Sequence, residues 1–482
     1  MQRKISLLIA VQFWQSAFRS KSLYGILIVM AIMLGYAAYS GWKTYSTQNG
    51  IRKHYQEVVR ESWESNPDKH PHRMAHYGSF AFRIKHPLSM FDFGLESFTG
   101  NAVFLEAHKQ NTINFSEASF STGSLRFGEI SMAMLMQVVL PLIIFFLGFA
   151  SVASERENGT LKVILIQGAG WKNVLVGKSL GLMALALLIF IPVATITLLL
   201  LLTTPDDAFT IDVLTRYVCL MLTYLFFLYV LCIVTILISS ISSSSKNALM
   251  TLLALWLFMI VLVPKTTQAL GSYFYPSPSK IEFETAVERD IIKEGDSHNP
   301  DDAHYKALKD SLLLAHHVDS VEQLPFNYSG FQMREGERIS AEIYNHHSKE
   351  LLNDYRKQNR ISKVSAFFNP YQAVRNISMA LTGTDFESYV AFQKEAEDYR
   401  YQMAQTMNEL QMKLISNKRP VPNDKPHTIS RDHWRNFPDF KQRFNGIAAA
   451  LRSEVWSVIS ILGWGALSLL LISRVAKKAK AI

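Results

Sequence analysis

Six long apolar runs constrain the fold of this chain more than any other feature of its sequence. A helix needs about 20 mostly apolar residues to cross the hydrocarbon core of a bilayer. The fifth run is the shortest and is followed by Pro264, but flanking residues extend it toward that length. The sequence therefore predicts six transmembrane helices, at residues 23–41, 131–152, 174–202, 213–238, 248–263 and 453–473.

Two long polar blocks, residues 42–130 and 265–452, interrupt the apolar runs. The first is predicted to begin as a helix, from Tyr45 to Glu64. The second has the length of a folded domain. Two stripes at helical and heptad spacing predict a helical hairpin or a short coiled coil in it. The stripes are Ile339, Ile343, Leu351 and Tyr355, and Tyr389, Phe392, Ala396, Tyr399, Met403 and Leu410. The predicted fold class is an all-α membrane protein with two large, mainly helical blocks outside the membrane.

Basic residues gather on one side of the predicted spans. They lie in residues 1–22, which are typical of an interfacial helix, in the connector at residues 153–173, and in the tail at residues 474–482. The positive-inside rule makes these three segments cytoplasmic and both polar blocks extracytoplasmic. This topology accounts for much of the net charge of +9, so a lipid membrane is the expected partner and nucleic acid is not required.

The connector between the second and third spans has an unusual composition. Glu155, Arg156 and Glu157 follow the second span directly, and Gly159 permits a sharp turn. Thr160 is placed to cap the next helix by accepting a backbone N–H. One face of that helix is apolar and consists of Leu161, Ile164 and Leu165. The helix either inserts this face into a groove on a partner or forms an interfacial turn that rests on lipid headgroups.

The connector also resembles a known family on specific residues. Glu155-Arg-Glu-Asn-Gly-Thr-Leu161, with Gln167-Gly168 and Gly177-Lys178, resembles the connector of bacterial ABC-2 type permeases. In that family the segment is the coupling helix that sits on the ATP-binding subunit. One branch with large outward domains of uncharacterised function is similar over further stretches. These stretches are residues 91–95, 98–101, 105–108, 369–385 and 396–400.

The resemblance implies the protein's partners and location. An ABC ATP-binding subunit would contact the connector, and a second permease chain, identical or related, would complete the complex. The expected location is the bacterial cytoplasmic membrane, with both termini inside. The coupling residues that the resemblance implies are Glu155, Arg156, Glu157, Gly159, Thr160, Leu161, Ile164 and Leu165.

The sequence offers little catalytic chemistry of its own. Gly177-Lys178-Ser179 lacks the additional glycine of a phosphate loop, because position 172 is Lys. We therefore expect no ATP site, no catalytic residue, no cofactor and no metal. Histidine groups in the polar blocks leave a metal site as an alternative, with Glu342, His346 and Glu350 on one helical face. The groups are His70, His72 and His76, then His316 and His317, then His346 and His347.

The leading hypothesis is a permease subunit, most simply an exporter, driven by a separate ATPase. No acidic, basic or histidine side chain lies in the middle of a predicted span, which disfavours ion-coupled transport and intramembrane catalysis. The alternative is a mechanotransmission scaffold, in which an ATPase moves the outer helices against an envelope partner and nothing crosses. A receptor-like sensor ranks third, because the turns between spans are too short for an output domain. The substrate is not identified.

Overall fold

The computed structural model describes residues 2–111, 129–205, 208–295, 297, 299, 301–418 and 427–478. It is mostly helical, at 76%. In chain order the helices are α1 (Gln2–Arg19), α2 (Lys21–Glu64), α3 (Pro71–Tyr77), α4 (Met132–Met134), α5 (Leu140–Gly148), α6 (Ala153–Glu157), α7 (Thr160–Ile166), α8 (Trp171–Leu202), α9 (Ile211–Ile241), α10 (Ser245–Leu257), α11 (Val263–Phe274), α12 (Lys280–Glu294), α13 (Ala303–Ala315), α14 (Tyr328–Ser365), α15 (Pro370–Thr382), α16 (Phe386–Leu414), α17 (Asp432–Arg435), α18 (Ile447–Ser453) and α19 (Val455–Lys478).

Six helices or helix series are long and apolar enough to cross a membrane, as predicted. Each covers nearly all of one predicted apolar run. They are Lys21–Glu64, Met132–Glu157, Trp171–Leu202, Ile211–Ile241, Ser245–Phe274 and Val455–Lys477. The chain therefore has the composition and architecture of a multi-pass membrane protein.

The first span continues far beyond its predicted end at Gly41. α2 is one helix of 44 residues, which is about 66 Å at 1.5 Å per residue. The hydrocarbon core of a bilayer is only about 30 Å thick, so α2 must project out of it. The helix predicted from Tyr45 to Glu64 is confirmed as the projecting half of α2.

Two spans contain a π-helical turn just before a proline. Residues Leu135–Val139 precede Pro141, and residues Phe258–Leu262 precede Pro264. Proline lacks an N–H, and its ring collides with the carbonyl four residues earlier in a regular helix. The wider π turn relieves that crowding. The prediction that Pro264 closes the fifth span is therefore wrong, and the helix continues to Phe274.

The helix α15 lies among the spans, although the sequence placed its residues in the second polar block. Nearly all of its side chains are buried, and they contact α9, α19 and the π turn of the fifth span. Asn369, which caps α15, donates from Nδ2 to the Met259 carbonyl at 2.7 Å. Asn376 donates to the Ser457 hydroxyl on α19 at 3.2 Å. A span prediction misses α15 because it is short and carries polar residues.

A buried hydrogen-bonded network joins α15 to two spans and to the first polar block. Gln137 donates from Nε2 to the Tyr224 hydroxyl at 2.6 Å, and Tyr224 and Ser378 share a hydrogen bond of 2.9 Å. Ser378 also donates to the carboxylate of Asp92 at 2.5 Å. Burial raises the pKa of Asp92. These contacts hold the second and fourth spans against α15.

The two polar blocks share one core. α14 and α16 are antiparallel, since the Asn327 N–H donates to the Met412 carbonyl at one end and Arg356 pairs with Glu387 at the other. This confirms the hairpin-like pairing, with α15 inserted between the two helices in sequence. Side chains from both blocks form a common apolar cluster that includes Trp63, Met74, Ala107, Met403, Met407 and Trp434.

The first polar block is less helical than predicted. After α3 it forms a three-stranded antiparallel sheet in the order β1 (Ser79–Phe82), β2 (Ala102–Glu106) and β3 (Lys109–Gln110). Ser79 pairs with Leu105, and Glu106 pairs with Lys109. The sheet packs on α16 and forms a second small core there. This core contains Ala81, Val103 and Leu105 of the sheet and Phe392 and Ala396 of α16. These strands are too short for an alternating pattern to reveal them.

The buried network makes a testable contribution to stability. Tyr224→Phe removes the hydroxyl that links Gln137 and Ser378, and leaves polar atoms buried without that partner. We expect a loss of about 1–3 kcal/mol in the free energy of unfolding, measured as a lower midpoint of thermal unfolding in detergent. Tyr229→Phe on the same helix is the matched control, because the Tyr229 hydroxyl makes no hydrogen bond within the described residues. Equal midpoints for the two variants would contradict the assigned role of the network.

Candidate coupling site

The connector forms a step of two short helices, α6 and α7, separated by Gly159. Gly159 has a φ of +75°, a left-handed conformation that residues with a Cβ rarely adopt. Thr160 does not cap α7 as predicted. Its hydroxyl instead donates to the Glu155 carbonyl at 3.2 Å, and Gly159 itself occupies the cap position. Gly168, with a φ of +94°, ends the step after α7.

The apolar face of α7 packs on this chain itself. Leu161 is fully buried, at 0% exposed, and joins the large core of the spans, with Ile164 and Leu165 half-buried against it. The shared helical face is therefore confirmed. A free apolar plug made of these three side chains is not present, because the span core already covers Leu161.

The opposite side of α7 presents different apolar residues to the surroundings. Val163 is 53% exposed and Ile166 is 85% exposed. Lys162 and Glu157 are exposed beside them. Sequence reasoning missed Val163 and Ile166, although their spacing of three residues places them on one face. Periodicity does not separate this exposed face from the buried one, because α7 carries apolar residues on nearly all sides.

Polar contacts hold the connector rigidly to the neighbouring spans. Glu155 forms an ion pair with Lys178 of α8 at 2.5 Å. Arg156 donates to the carbonyls of Ser240 and Ser242 at the end of α9, each at 2.5 Å. A cation in this position satisfies carbonyls that lack partners within the helix. Glu157 accepts from the Ser245 hydroxyl at the start of α10. The three charged residues thus connect the step to the third, fourth and fifth spans.

A serine hydroxyl reinforces the same junction. Ser239 of α9 donates to the Phe149 carbonyl at 2.6 Å and accepts from the N–H groups of Val152 and Ala153 at 3.0 and 3.1 Å. These bonds satisfy the break between α5 and α6, where the second span ends. No local pattern in the sequence predicts this contact, because Ser239 and Phe149 are 90 positions apart.

The Gly177-Lys178 pair has a packing role. A Cβ on Gly177 would lie 2.7 Å from the Ser6 carbonyl oxygen, so glycine lets α1 approach α8 closely. Lys178 is buried, and its ammonium lies 5.6 Å from the centre of the Phe13 ring of α1. The helix predicted at the N-terminus is confirmed, and α1 packs along α8.

The metal set considered from sequence in the second polar block is not assembled. Arg338 donates to both carboxylate oxygens of Glu342 at 3.0 Å, so that carboxylate is already engaged. His346 lies 3.5 Å from Glu350, and its neighbour His347 contacts Asp290 at 2.9 Å. His346 therefore lies beside a carboxylate of α14 itself, and His347 contacts α12.

Comparison with known proteins adds one finding. The sequence model of a family described as a domain of unknown function (DUF3526) matches residues 280–443. The match begins at α12, includes α14 to α16, and ends before α18. The second polar block is thus similar to that family, whose description assigns no activity. No curated protein matches the chain.

The ion pair beneath the connector can be tested directly. Lys178→Met removes the partner of Glu155 in a mostly buried setting, and we expect a loss of about 3–5 kcal/mol of stability. Adding Glu155→Gln should restore part of that loss, because no uncompensated carboxylate then remains. Thermal unfolding in detergent is the measurement, and exposed Lys162→Met is the matched control. Additive effects of the two substitutions would show that the pair is not coupled.

Proposed function

We propose that this protein is the transmembrane subunit of an ABC-2 type transporter, most simply an exporter, driven by a separate ATP-binding subunit. The resemblance of the connector to that family motivates the proposal. One structural observation carries it: the connector is exposed on one side and anchored to the third, fourth and fifth spans on the other. A force that a partner subunit applies to α7 would therefore be transmitted to the spans, because the connector cannot move independently of them.

The exposed side of α7 has the features of a docking surface. Val163 and Ile166 supply apolar area, with Glu157 and Lys162 at the rim. Interfaces commonly place apolar anchors at the centre and charged residues at the edge. In this proposal Leu161, Ile164 and Leu165 transmit force into the span core, while Val163 and Ile166 contact the ATPase. Gly159 sets the angle between the two helices.

The distribution of charge within the spans supports an external energy source. In the described spans, Lys178, Asp212 and Arg216 lie in the first third of their helices, and the exposed Lys265 follows the apolar part of the fifth span. Asp212 and Arg216 form an ion pair at 2.6 Å, and Arg216 also donates to carbonyls of Ala380 and Leu381. Such engaged groups suit a structural role better than a proton relay. ATP hydrolysis would occur on the partner, so the chain itself would not be an enzyme.

The proposal includes an orientation and a second permease chain. Both termini and the connector would be in the cytoplasm of a bacterium, and the two polar blocks on the outer side of the inner membrane. The fifth span is the least covered, with 17% of its apolar window buried. Lipid and a second permease chain would cover the remainder.

A mechanotransmission scaffold is the second candidate, and the continuity of α2 favours it. The helix runs from the membrane to Trp63, whose indole donates to the Trp434 carbonyl at 2.9 Å. Arg60 donates to the Phe437 carbonyl at 2.8 Å and pairs with Asp439. Movement of the first span would thus reach the second polar block directly. Measurement of ATP-dependent efflux from proteoliposomes, against ATP-dependent motion of α16 without efflux, distinguishes the two candidates.

The orientation predicts a labelling pattern. Single cysteines at Ser65 and Ser348, in a variant without Cys219 and Cys232, should react with a membrane-impermeant thiol reagent. The cells need a permeabilised outer barrier and an intact inner membrane. Asn158→Cys in the connector should react only after the inner membrane is opened. Labelling of Asn158→Cys in intact inner membranes would refute the proposed topology.

The docking surface predicts specific coupling defects. Val163→Asp or Ile166→Asp places a charge on exposed apolar area, so the protein should insert and fold normally. We expect ATPase association to weaken by on the order of 2 kcal/mol, about thirtyfold. Co-purification of the ATPase and ATP turnover in nanodiscs are the measurements. Leu161→Asp should instead destabilise the chain itself, because that position is buried.

The matched control is Ile281→Asp on α12. Ile281 is 76% exposed, close to the 85% of Ile166, but lies in the second polar block. It should leave ATPase association unchanged. Full association and turnover in Val163→Asp and Ile166→Asp would mean that α7 is only an interfacial turn, and would contradict the proposed function.

A further inference from the structure

Three histidines meet at the junction of α3 and the turn between β2 and β3. We propose that His72, His76 and His108 form a binding site for a divalent transition-metal ion of the Zn²⁺ class. One ring nitrogen from each histidine lies within 4.8 Å of the others. The site lies in the first polar block and shares no residue with the connector. The inference goes beyond the proposed function and does not depend on it.

Local structure brings the histidines together from separate segments. His72 and His76 are four residues apart on α3 and so share one helical face. His70 accepts from the His72 N–H at 3.2 Å and caps the helix. The Ala107 N–H donates to the Ala75 carbonyl at 3.2 Å, which holds the β2–β3 turn against α3. The centre of the His108 ring lies 5.5 Å from the centre of the His72 ring and 5.3 Å from that of His76.

The backbone and a buried carboxylate fix the orientation of His108. His108 has a φ of +63°, which is uncommon for a residue with a Cβ. Its N–H donates to Oε2 of Glu337 at 2.8 Å, and its Nδ1 lies 3.3 Å from the same oxygen. Glu337 is fully buried on α14, and its other oxygen pairs with Arg400 at 2.7 Å.

This arrangement matches the environment of metal-bound histidines. Such histidines commonly direct one ring nitrogen at a carboxylate, which fixes the tautomer and increases the basicity of the other nitrogen. Glu337 engages Nδ1 of His108, so Nε2 is the nitrogen that would coordinate. A charge pair with Arg400 keeps the carboxylate in place, so the support for His108 is rigid before any ion binds.

The chemistry of three imidazoles selects the class of ion. Neutral imidazole suits Zn²⁺, Cu²⁺ and Ni²⁺, whereas Ca²⁺ and Mg²⁺ prefer oxygen ligands. Zinc–nitrogen distances of about 2.0–2.1 Å place tetrahedral ligands about 3.4 Å apart. The nitrogens must therefore approach by rotation of the side chains. His76 is exposed, which permits that rotation and leaves a route for the ion and for a water in the fourth position.

A bound ion would connect segments of the polar blocks that are separate in sequence. It would link α3 to the β2–β3 turn, and the turn already contacts α14 through Glu337 and α16 through Arg400, which donates to the Glu106 carbonyl at 3.1 Å. The ion itself would cross-link two segments of the first polar block, and the contacts of the turn with Glu337 and Arg400 would extend that constraint to the second block. We expect the ion to raise the stability of this region, because it binds the folded chain and the unfolded chain does not hold the three ligands together.

Metal binding by the full chain is the test. The protein is purified in detergent with an affinity tag that lacks histidine, stripped with a chelator, and titrated with Zn²⁺ against a competing dye. We expect one tightly bound Zn²⁺ per chain, a higher midpoint of thermal unfolding with Zn²⁺, and three imidazole ligands by X-ray absorption. Affinity should fall at least tenfold in His76→Ala and in His108→Asn, since asparagine tolerates positive φ.

Two further variants make the result decisive. His346→Ala removes an exposed histidine outside the cluster and should leave Zn²⁺ affinity unchanged. His72→Gln replaces His108→Asn if that variant does not fold, as judged by size exclusion and circular dichroism. Substoichiometric Zn²⁺, or an affinity unchanged in His76→Ala, would overturn the proposed site.

Discussion

The requirement to satisfy polar groups inside an apolar bundle governs this structure. α15 carries Asn376, Ser378 and other polar side chains into a position surrounded by spans. An unsatisfied amide or hydroxyl there costs free energy, because no water replaces the missing partner. Two of these side chains are satisfied by neighbouring elements: Asn376 donates to Ser457, and Ser378 shares hydrogen bonds with Tyr224 and Asp92. This need fixes the position of α15, and α15 in turn constrains how the surrounding spans pack.

The end of the bundle at the connector follows the same rule with charged groups. Arg156 satisfies the terminal carbonyls of α9, Lys178 accompanies Glu155, and Ser239 bridges the break after α5. The connector is consequently part of the rigid body of the spans. The structure therefore has two polar junctions, α15 at one end and the connector at the other, with an apolar core between them. A displacement at α7 has a continuous packed route to α15.

The sequence predicts the parts of this arrangement that depend on local pattern. Length and hydropathy are enough to find the six spans, and helical periodicity finds α14 and α16. The position of α15 depends on contacts from residues more than a hundred positions away, such as Met259 with Asn369. The outward face of α7 was missed because its inward and outward faces are both apolar, and only burial distinguishes Leu161 from Ile166. His108 has no local pattern that associates it with His72 and His76.

The two polar blocks are connected to the spans at several separate points. α2 leaves the bundle as one helix and ends at Glu64, and its Trp63 lies in the core that also contains Met403 of α16. The chain from α16 returns through α18 to the last span, while α15 connects α14 to α16 through the bundle itself. The blocks are thus attached to the spans by α2, α15 and α18, and not by one flexible linker. Because attachments at several separated points resist independent rotation, a change in span packing must be passed to the blocks or be opposed by them.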